Sequence, residues 1–488
     1  MLPRNRWLVL ALLSSALFLI SVDMTVLHTA LPRLTHDLGA TATEKLWIVN
    51  AYPLVVAGLL PGLGTLGDRV THRRMFLSGL AVFGLASLWA AFSPTPGLLI
   101  GARVGLAVGA ALMMPATLSL IRLTFTDEKE RAFAIGIWAA VASGGAALGP
   151  VVGGLLLEHF WWGSVFLLNV PVVAVALLAG PLLLPRRPGN RTRPWDLAGS
   201  VQIMLGIVAV VYGIKEIARA DASLLTAGVT LAFGALVLTH FVRQQLARPQ
   251  PLIDFRLMTS RRFSAGVIAA LVASAVLVGA ELVYSQHLQL VRGFSPLQAG
   301  LMILPIPLAS FAAGPLTGLA LPRIGAERVL WLSLLLSALG LGLFAMSYGS
   351  GWLWMGALAV LGFGLGAAMT GASSVIMLSA PEDRAGMAAS IEEVSFELGS
   401  ALGVAMLGGL MSAIYTRMMT VPAGVPEMAR DGIDEALILA EKLEPDMAAQ
   451  VISLAHAAFD MAFDGVVLTA AVLMGVVALL LRWRIRHV

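Results

Sequence analysis

Apolar runs long enough to cross a membrane recur along this chain, separated by short polar turns. A hydrocarbon core about 30 Å thick takes roughly 20 helical residues rising about 1.5 Å each. Fourteen stretches meet that length, near 7–31, 46–67, 75–93, 98–123, 132–157, 163–184, 197–218, 222–242, 263–286, 299–320, 329–348, 352–378, 388–415 and 464–483. The pattern therefore predicts an all-α polytopic membrane protein with fourteen transmembrane helices. Three connecting segments are longer than the rest. Residues 185–196 and 243–262 are basic, bear prolines and bracket the pair formed by spans 7 and 8. Residues 416–462 set eight acids against Arg417, Arg430 and Lys442, and their periodicity predicts amphipathic helices at about 433–443 and 446–461.

Composition agrees with this reading. With 58% hydrophobic residues, 12% charged residues and a mean hydropathy of +0.87, the chain lacks the polar surface of a soluble globule. With the N-terminus inside, the inner segments hold 23 of the 32 Lys and Arg residues, the outer segments 8, and Arg103 lies within a span. That bias predicts a multi-pass protein of the inner or plasma membrane with both termini cytoplasmic. The pI near 9.7 then reflects cytoplasmic loops facing anionic lipid, and no nucleic-acid partner is expected. The first span follows Arg4 and Arg6 as a cleavable leader would, but its acid and the thirteen further spans favour retention.

Several chemistries are excluded. There is no cysteine, hence no disulfide or thiolate chemistry. A Walker loop needs glycine before lysine, and none of Lys45, Lys129, Lys215 and Lys442 follows glycine, so ATP hydrolysis by such a loop is ruled out. The eight histidines are scattered without ligand spacing, and no metal site is expected.

The chain also resembles itself. Gly64-Thr65-Leu66-Gly67-Asp68-Arg69 is echoed by Gly318-Leu319-Ala320-Leu321-Pro322-Arg323, Glu130-Arg131-Ala132 by Asp383-Arg384-Ala385, and Gly145-Ala146-Ala147-Leu148-Gly149 by Gly399-Ser400-Ala401-Leu402-Gly403. The offsets are 254, 253 and 254 residues. Three echoes in register predict two parallel six-helix bundles, residues 1–184 and 263–488, the second including the acidic outer loop 416–462. Between them lie the linker 185–196, an inserted helix pair at 197–242 and the linker 243–262. Parallel halves are one transporter plan, with the site at their interface near the midplane.

Candidate chemistry gathers in four places. Asp68, Arg69, Arg73 and Arg74, with Gly64 and Gly67, form a tight cytoplasmic turn able to hold helix ends together by charge-assisted hydrogen bonds, which makes it a candidate gate. In span 5, Gly136, Gly145, Gly149, Gly153 and Gly154 remove side chains and Pro150 removes a backbone donor, predicting a helix that packs closely and bends. Its second-half copy has Val404 for Pro150 and Leu407 for Gly153, so the bend belongs to one half. We place this helix at the interface of the halves.

Charges inside spans cost several kcal/mol unless paired or wetted. Asp23 and Arg103 lie at similar depth and are expected to be partners, either as a structural ion pair or as a carboxylate exchanging between proton and arginine. Glu281 is a candidate proton carrier, a contact for a cationic ligand, or a residue bordering outer solvent. Glu392 and Glu393 fall near the inner end of span 13, where solvation is expected, and the deeper Glu397 is the better candidate. Tyr52, Met113, Trp138, Phe166, Tyr284 and Phe396 supply aromatic and methionine surface that could receive lipophilic cations together with Asp23 and Glu281. Ordinary helix packing and interfacial belts are the alternative for these side chains.

The stretch Gly64 to Arg74 closely resembles the signature loop of the major facilitator superfamily, with Thr71 where the family usually has glycine and His72 where it has a basic residue. The pattern Gly136-x8-Gly145-x3-Gly149-Pro150-x2-Gly153-Gly154 matches the span-5 motif of the superfamily's antiporter branches. Ser21-Val22-Asp23-Met24-Thr25 through Pro32 is similar to the first-span motif of the fourteen-span drug:proton antiporters. Phe166-Leu167-Leu168-Asn169-Val170-Pro171 and Ser285-Gln286-His287-Leu288-Gln289-Leu290 are similar to other stretches of that branch. Leu106 and Ala107 depart from it, replacing the glutamine and glycine that often follow the span-4 arginine.

The resemblance covers essentially the whole chain and looks closest to quaternary-ammonium and multidrug exporters. It implies a non-enzymatic, proton-coupled antiporter that exports lipophilic and quaternary ammonium cations by alternating access. It also implies no cofactor, since the proton gradient drives export, with Asp23, Arg103, Glu281 and Glu397 handling protons. The implied partners are small cationic substrates, protons and the bilayer, for a monomer. The rival expectations are a proton-coupled exporter of an endogenous metabolite, lipid or peptide, and a non-transporting membrane scaffold or sensor whose binding module is 416–462.

Overall fold

A computed structural model describes residues 6–486 except 41, 187–195, 218–222, 250, 252, 349–351, 382 and 383. Most of the linker 185–196, Asp383 of the repeat, and the side chains of Asp68 and Pro150 lie outside the described residues. Among those described there is no strand. The helices are α1 (Arg6–Leu38), α2 (Ala42–Val70), α3 (His72–Ala91), α4 (Pro96–Thr124), α5 (Glu128–His159), α6 (Ser164–Leu167), α7 (Asn169–Leu183), α8 (Leu197–Ile217) and α9 (Leu224–Ala247). They continue with α10 (Arg261–Gln286), α11 (Pro296–Ile303), α12 (Pro305–Ile324), α13 (Ala326–Ser347), α14 (Leu353–Ser379), α15 (Ala385–Met418), α16 (Ile433–Ala440) and α17 (Pro445–Arg486).

In hydrocarbon every backbone donor must find its acceptor within the protein, and continuous apolar runs of about 20 residues satisfy this within the segment as helices. Starts are set by local chemistry: Thr71, Thr95, Asp127 and Ser260 accept from backbone N–H groups in the first turns of α3, α4, α5 and α10. Ser295 and Gln298 form a reciprocal capping box at α11.

Thirteen described helices are long and apolar enough to cross a membrane. At the place of the expected seventh span stands the shorter apolar run Ala198–Ile214 of α8. The outer segment departs from expectation in one respect. A helix does form at Ile433–Ala440, but the expected separate helix at 446–461 is the first part of α17, a 42-residue helix continuous with the last span. No glycine and no proline after Pro445 interrupts it until Gly465, which stays helical, so nothing ends the helix at the membrane surface.

The packing order recurs along the chain. Helix α1 lies on α5, α2 and α3 on α4; likewise α10 lies on α15, and α12 and α13 on α14. The two groups meet where α5 lies on α12 and α15 on α2. The α8–α9 pair docks on α2, with Gly58 against Met204 and Gly62 against Ser200.

The glycines decide how close these contacts are. A Cβ at Gly64 would strike Ser390 and one at Gly318 would lie 2.6 Å from the Ala132 carbonyl oxygen, while Gly136 and Gly314 face each other's backbone. Ser143 and Ser310 hydroxyls are 2.8 Å apart along the same α5–α12 seam. Further along α5 the stripe turns inward: a Cβ at Gly145 would lie 2.9 Å from the Ser21 Cβ and one at Gly149 2.8 Å from the Thr25 Cβ, both on α1. The helix lies at the seam of the two groups, as expected, but its glycines divide between two neighbours. Gly136 and Gly144 face α12, and Gly145 and Gly149 bind α5 to its own group; the roughly 100° step between successive helical residues separates the two faces.

Candidate functional site

Asp23 and Arg103 are each 1% exposed and meet inside the first group. Arg103 Nη1 donates to Asp23 Oδ2 at 2.6 Å, and its Nε donates to the Ile48 carbonyl at 3.3 Å. The guanidinium lies 4.7 Å from the centre of the Tyr52 ring. Span 6 is interrupted at Leu168 between α6 and α7, and Asn169, the first residue of α7, donates to Asp23 Oδ1 at 3.3 Å and to Ser87 Oγ at 3.1 Å. Five segments thus converge on one carboxylate and its arginine. Burying two charges is expensive unless their remaining hydrogen-bonding positions are filled; here α2 accepts from Arg103 and α7 donates to Asp23, while α3 holds Asn169 through Ser87.

Helix α15 brings a second set of acids. Glu392, Glu393 and Glu397 are 0%, 3% and 7% exposed, which corrects the expectation that the first two face solvent. The packing of α15 against α2 and α4 closes off that end. Ser373 of α14 donates to Glu392. One oxygen of each of the three carboxyls has no hydrogen-bond partner among the described residues. Tyr52, whose hydroxyl is also buried without a partner, stands within electrostatic reach of Asp23 and Arg103 in its own group and of Glu393 and Glu397 in the other. An ionised carboxylate in such surroundings must meet a cation or take up a proton.

The remaining expected site residues distribute unevenly. Trp138 is buried and its Nε1 donates to Thr117 Oγ1 at 3.1 Å, joining α5 to α4. Met113 is buried between α4 and α3, where a Cβ on Gly79 would lie 2.6 Å from its Cγ. Phe166 is fully buried against Trp162. Phe396 is half-buried on α15, and its carbonyl accepts from Ser274 and Ser400. Glu281 is half-buried on α10 and forms no ion pair among the described residues.

Tyr284 belongs to a different assembly, ringed by Phe344, Tyr348, Trp354 and Phe463 within the second group. Beside it, buried His287 meets Asp460 Oδ1 through Nε2 at 2.6 Å and the Tyr348 hydroxyl through Nδ1 at 2.8 Å, with Phe463 stacked at 4.5 Å. At the 64–74 turn, Arg73 Nη2 donates to the Pro181 carbonyl at 2.7 Å and the Arg74 amide donates to Thr71 Oγ1 at 3.2 Å. Arg69 is half-buried, and a Cβ on Gly67 would lie 2.8 Å from His72 Nδ1. Thr71 has φ 144°, a backbone setting that favours glycine. Gly153 is buried and Gly154 half-buried on α5.

Sequence reading assigned no site role to Ser87, Ser373 or the His287–Asp460–Tyr348 cluster, set Glu393 aside as solvated, and noted Asn169 only as part of a family-like stretch. Asn169 carried a signal, a lone amide in the apolar run Phe166 to Pro171. Ser87 and Ser373 carried none, since serine satisfies its own helix as readily as a neighbour.

A model of the Major Facilitator Superfamily matches residues 13–404. The methyl viologen resistance protein SmvA of Salmonella typhimurium is 43% identical over 461 residues, 93% of each chain. The multidrug efflux pump LfrA of Mycolicibacterium smegmatis is 38% identical over 480 residues, 97% of this chain and 95% of the other. The crystal structure of the human organic anion transporter MFSD10 (TETRAN) superposes with a TM-score of 0.63 over 97% of this chain and all of that one, at 15% identity, a likeness of fold.

Proposed function

The chain belongs to the major facilitator superfamily, and from that membership we propose that it is a proton-coupled antiporter exporting lipophilic and quaternary ammonium cations by alternating access. It is a multi-pass membrane protein; in this reading it has fourteen spans, α8 supplying the seventh, with both termini cytoplasmic. Residues 1–184 and 263–488 form the two six-helix bundles, joined by linkers 185–196 and 243–262 around the helix pair 197–242. The named relatives support a drug exporter, one by methyl viologen resistance and one by multidrug efflux.

The observation that carries the coupling is the buried Asp23–Arg103 pair, with the Tyr52 ring against the guanidinium. A proton entering from outside neutralises Asp23, frees Arg103 from that carboxylate, and disfavours a bound cation. Release of the proton to the cytoplasm restores the negative site. Proton and cation exclude one another, so occupancy itself couples the two fluxes. One charge crossing 100 mV is worth about 2.3 kcal/mol, or roughly a fifty-fold gradient, and no nucleotide or cofactor is required. Glu281 and Glu397 serve as further proton sites, and the 64–74 turn closes the cytoplasmic end.

Purified protein in liposomes with an imposed pH gradient tests this reading, with ethidium and methyl viologen as probes. Gradient-dependent flux is expected for wild type and is abolished in folded Asp23→Asn. Absence of gradient-dependent flux for both compounds overturns the proposal, and full coupling in Asp23→Asn assigns the proton to another carboxyl.

A further inference from the structure

The inserted pair α8–α9 has a face turned away from α2. Ser200 and Met204 look toward α2, where Cβ atoms on Gly62 and Gly58 would meet them. A step of about 100° around the helix, Ala198, Val201 and Leu205 recur at i, i+3 and i+7. They wall a groove of about 690 Å³, with Leu236 and Val237 of α9 opposite. Volumes of about 300–1,000 Å³ are those of ligand clefts. Gln202 Nε2 donates to the Val237 carbonyl at 3.5 Å and ties the two helices together there. The walls are almost wholly apolar, and α9 is the least buried of the thirteen helices able to span. In a bilayer such an open apolar groove is filled by hydrocarbon.

One end of the groove is basic. Because α8 runs antiparallel to α2, the start of α8 and the end of α9 lie toward the 64–74 turn. There His240 borders the groove and Arg243 follows, at i+4 and i+7 from Leu236 on one face of α9. Both are exposed and form no hydrogen bond or ion pair among the described residues. Arg243 lies four residues, about 6 Å, from the end of α9, where a long side chain reaches headgroup level. Residues 185–196 and 243–262 together hold nine arginines against Asp196 and Asp254. Asp196 already accepts from Gln245 and Arg248, and Asp254 from Arg384. Residues 187–195, outside those described, carry arginines and no acid, so that stretch holds nothing to neutralise Arg243.

We propose that this groove binds an anionic phospholipid, with an acyl chain between α8 and α9 and the phosphate on Arg243. A guanidinium matches phosphate oxygens in paired geometry, and the His240 ring offers an N–H to a phosphate or glycerol oxygen. A zwitterionic lipid fits the apolar walls equally well but brings its own cation to Arg243, so the site selects net negative charge. A second copy of the chain docked through this face would bring basic linkers together, which like charges oppose.

The full-length protein in non-ionic detergent is titrated with phosphatidylglycerol against a fixed amount of phosphatidylcholine, and retained lipids are counted by native mass spectrometry. Wild type is expected to keep phosphatidylglycerol in preference. Arg243→Gln removes the phosphate partner, and Val201→Trp, at a position 41% exposed, fills the groove while leaving every charge in place. Each is expected to need at least ten times more phosphatidylglycerol for half-occupancy. Arg323→Gln, which removes the same charge from an exposed position at the same end, is expected to match wild type. Equal retention of the two lipids by wild type, or unchanged retention in Arg243→Gln, overturns the proposal. A loss in Arg243→Gln with full retention in Val201→Trp also overturns it, because charge would then act without the groove. A lipid-free wild-type dimer that Val201→Trp dissociates would give the face to a second copy and overturn it likewise.

Discussion

Replacing Gly136 by alanine places a methyl group against the backbone of α12. A Cβ there would lie 2.8 Å from the Gly314 carbonyl carbon and 3.1 Å from Pro315 Cα, and closer still to the Gly314 oxygen. Ordinary contact begins at 3.4 Å, so the two helices must part by about 0.6 Å or more along this seam. The obstacle is helix backbone, which cannot rotate aside, and overpacking of this kind costs about 1–3 kcal/mol. Charged to the state in which α5 lies on α12, that cost shifts the equilibrium toward the alternative by about 5- to 150-fold. The chain has no cysteine, so single cysteines at exposed Lys129 and Arg323 can carry spin labels without background. Gly136→Ala should lengthen the distance distribution between them.

Gly149→Ala is the matched comparison: its Cβ would lie 2.8 Å from Thr25 Cβ, but on α1 of the same group. It should lower the unfolding temperature and leave the 129–323 distances unchanged. Unchanged distances in Gly136→Ala together with altered ones in Gly149→Ala would refute the assignment of the two faces of α5.

Thr71→Gly removes a φ of 144°, a strain of order 1–3 kcal/mol, at the loss of a cap worth a few tenths when glycine replaces it. The variant should be more stable by about 1 kcal/mol in thermal unfolding, and a lower midpoint would contradict the strain argument. Asn169→Ala leaves Asp23 Oδ1 and Ser87 without their donor; a loss of about 1–3 kcal/mol and weaker proton-driven efflux are expected, and normal values for both would remove Asn169 from the site. His287→Phe keeps a ring against Phe463 but strips Tyr348 and Asp460 of their partner. Faster amide exchange in residues 419–444 is expected, and protection equal to wild type would show that the cluster does not tie down the outer segment.

The fold was legible in the sequence because the bilayer demands one thing, a run of apolar residues of sufficient length, and thirteen of the fourteen predicted runs return among the described residues as helices long and apolar enough to span. The Asp23–Arg103 contact was legible for a similar reason: two opposite charges at one depth have few other ways to be buried. Tyr284 was misplaced because depth alone cannot say which way a residue on an all-apolar helix points, and it turns to α13 and α17. Glu392 and Glu393 were taken for surface residues because their nearness to a helix end is visible in sequence, whereas the cover that α2 and α4 place over that end is not. The split of the glycine stripe was hidden likewise, since glycine records close approach without naming the neighbour.

The continuous α17 has a mechanical consequence. Residues 445–463 precede the last apolar run and, at about 1.5 Å each, lengthen its helix by about 28 Å. The mast so formed is stayed at its base by Asp460 on His287, while Tyr415 and Thr416 tie the end of α15 to Ala429 and Arg430 nearby. Rigidly joined to one group of helices, it acts as a pointer: a rocking of about 10° would sweep its tip through about 5 Å. A dye on exposed Lys442, close to that tip, would report such a rocking as a large displacement.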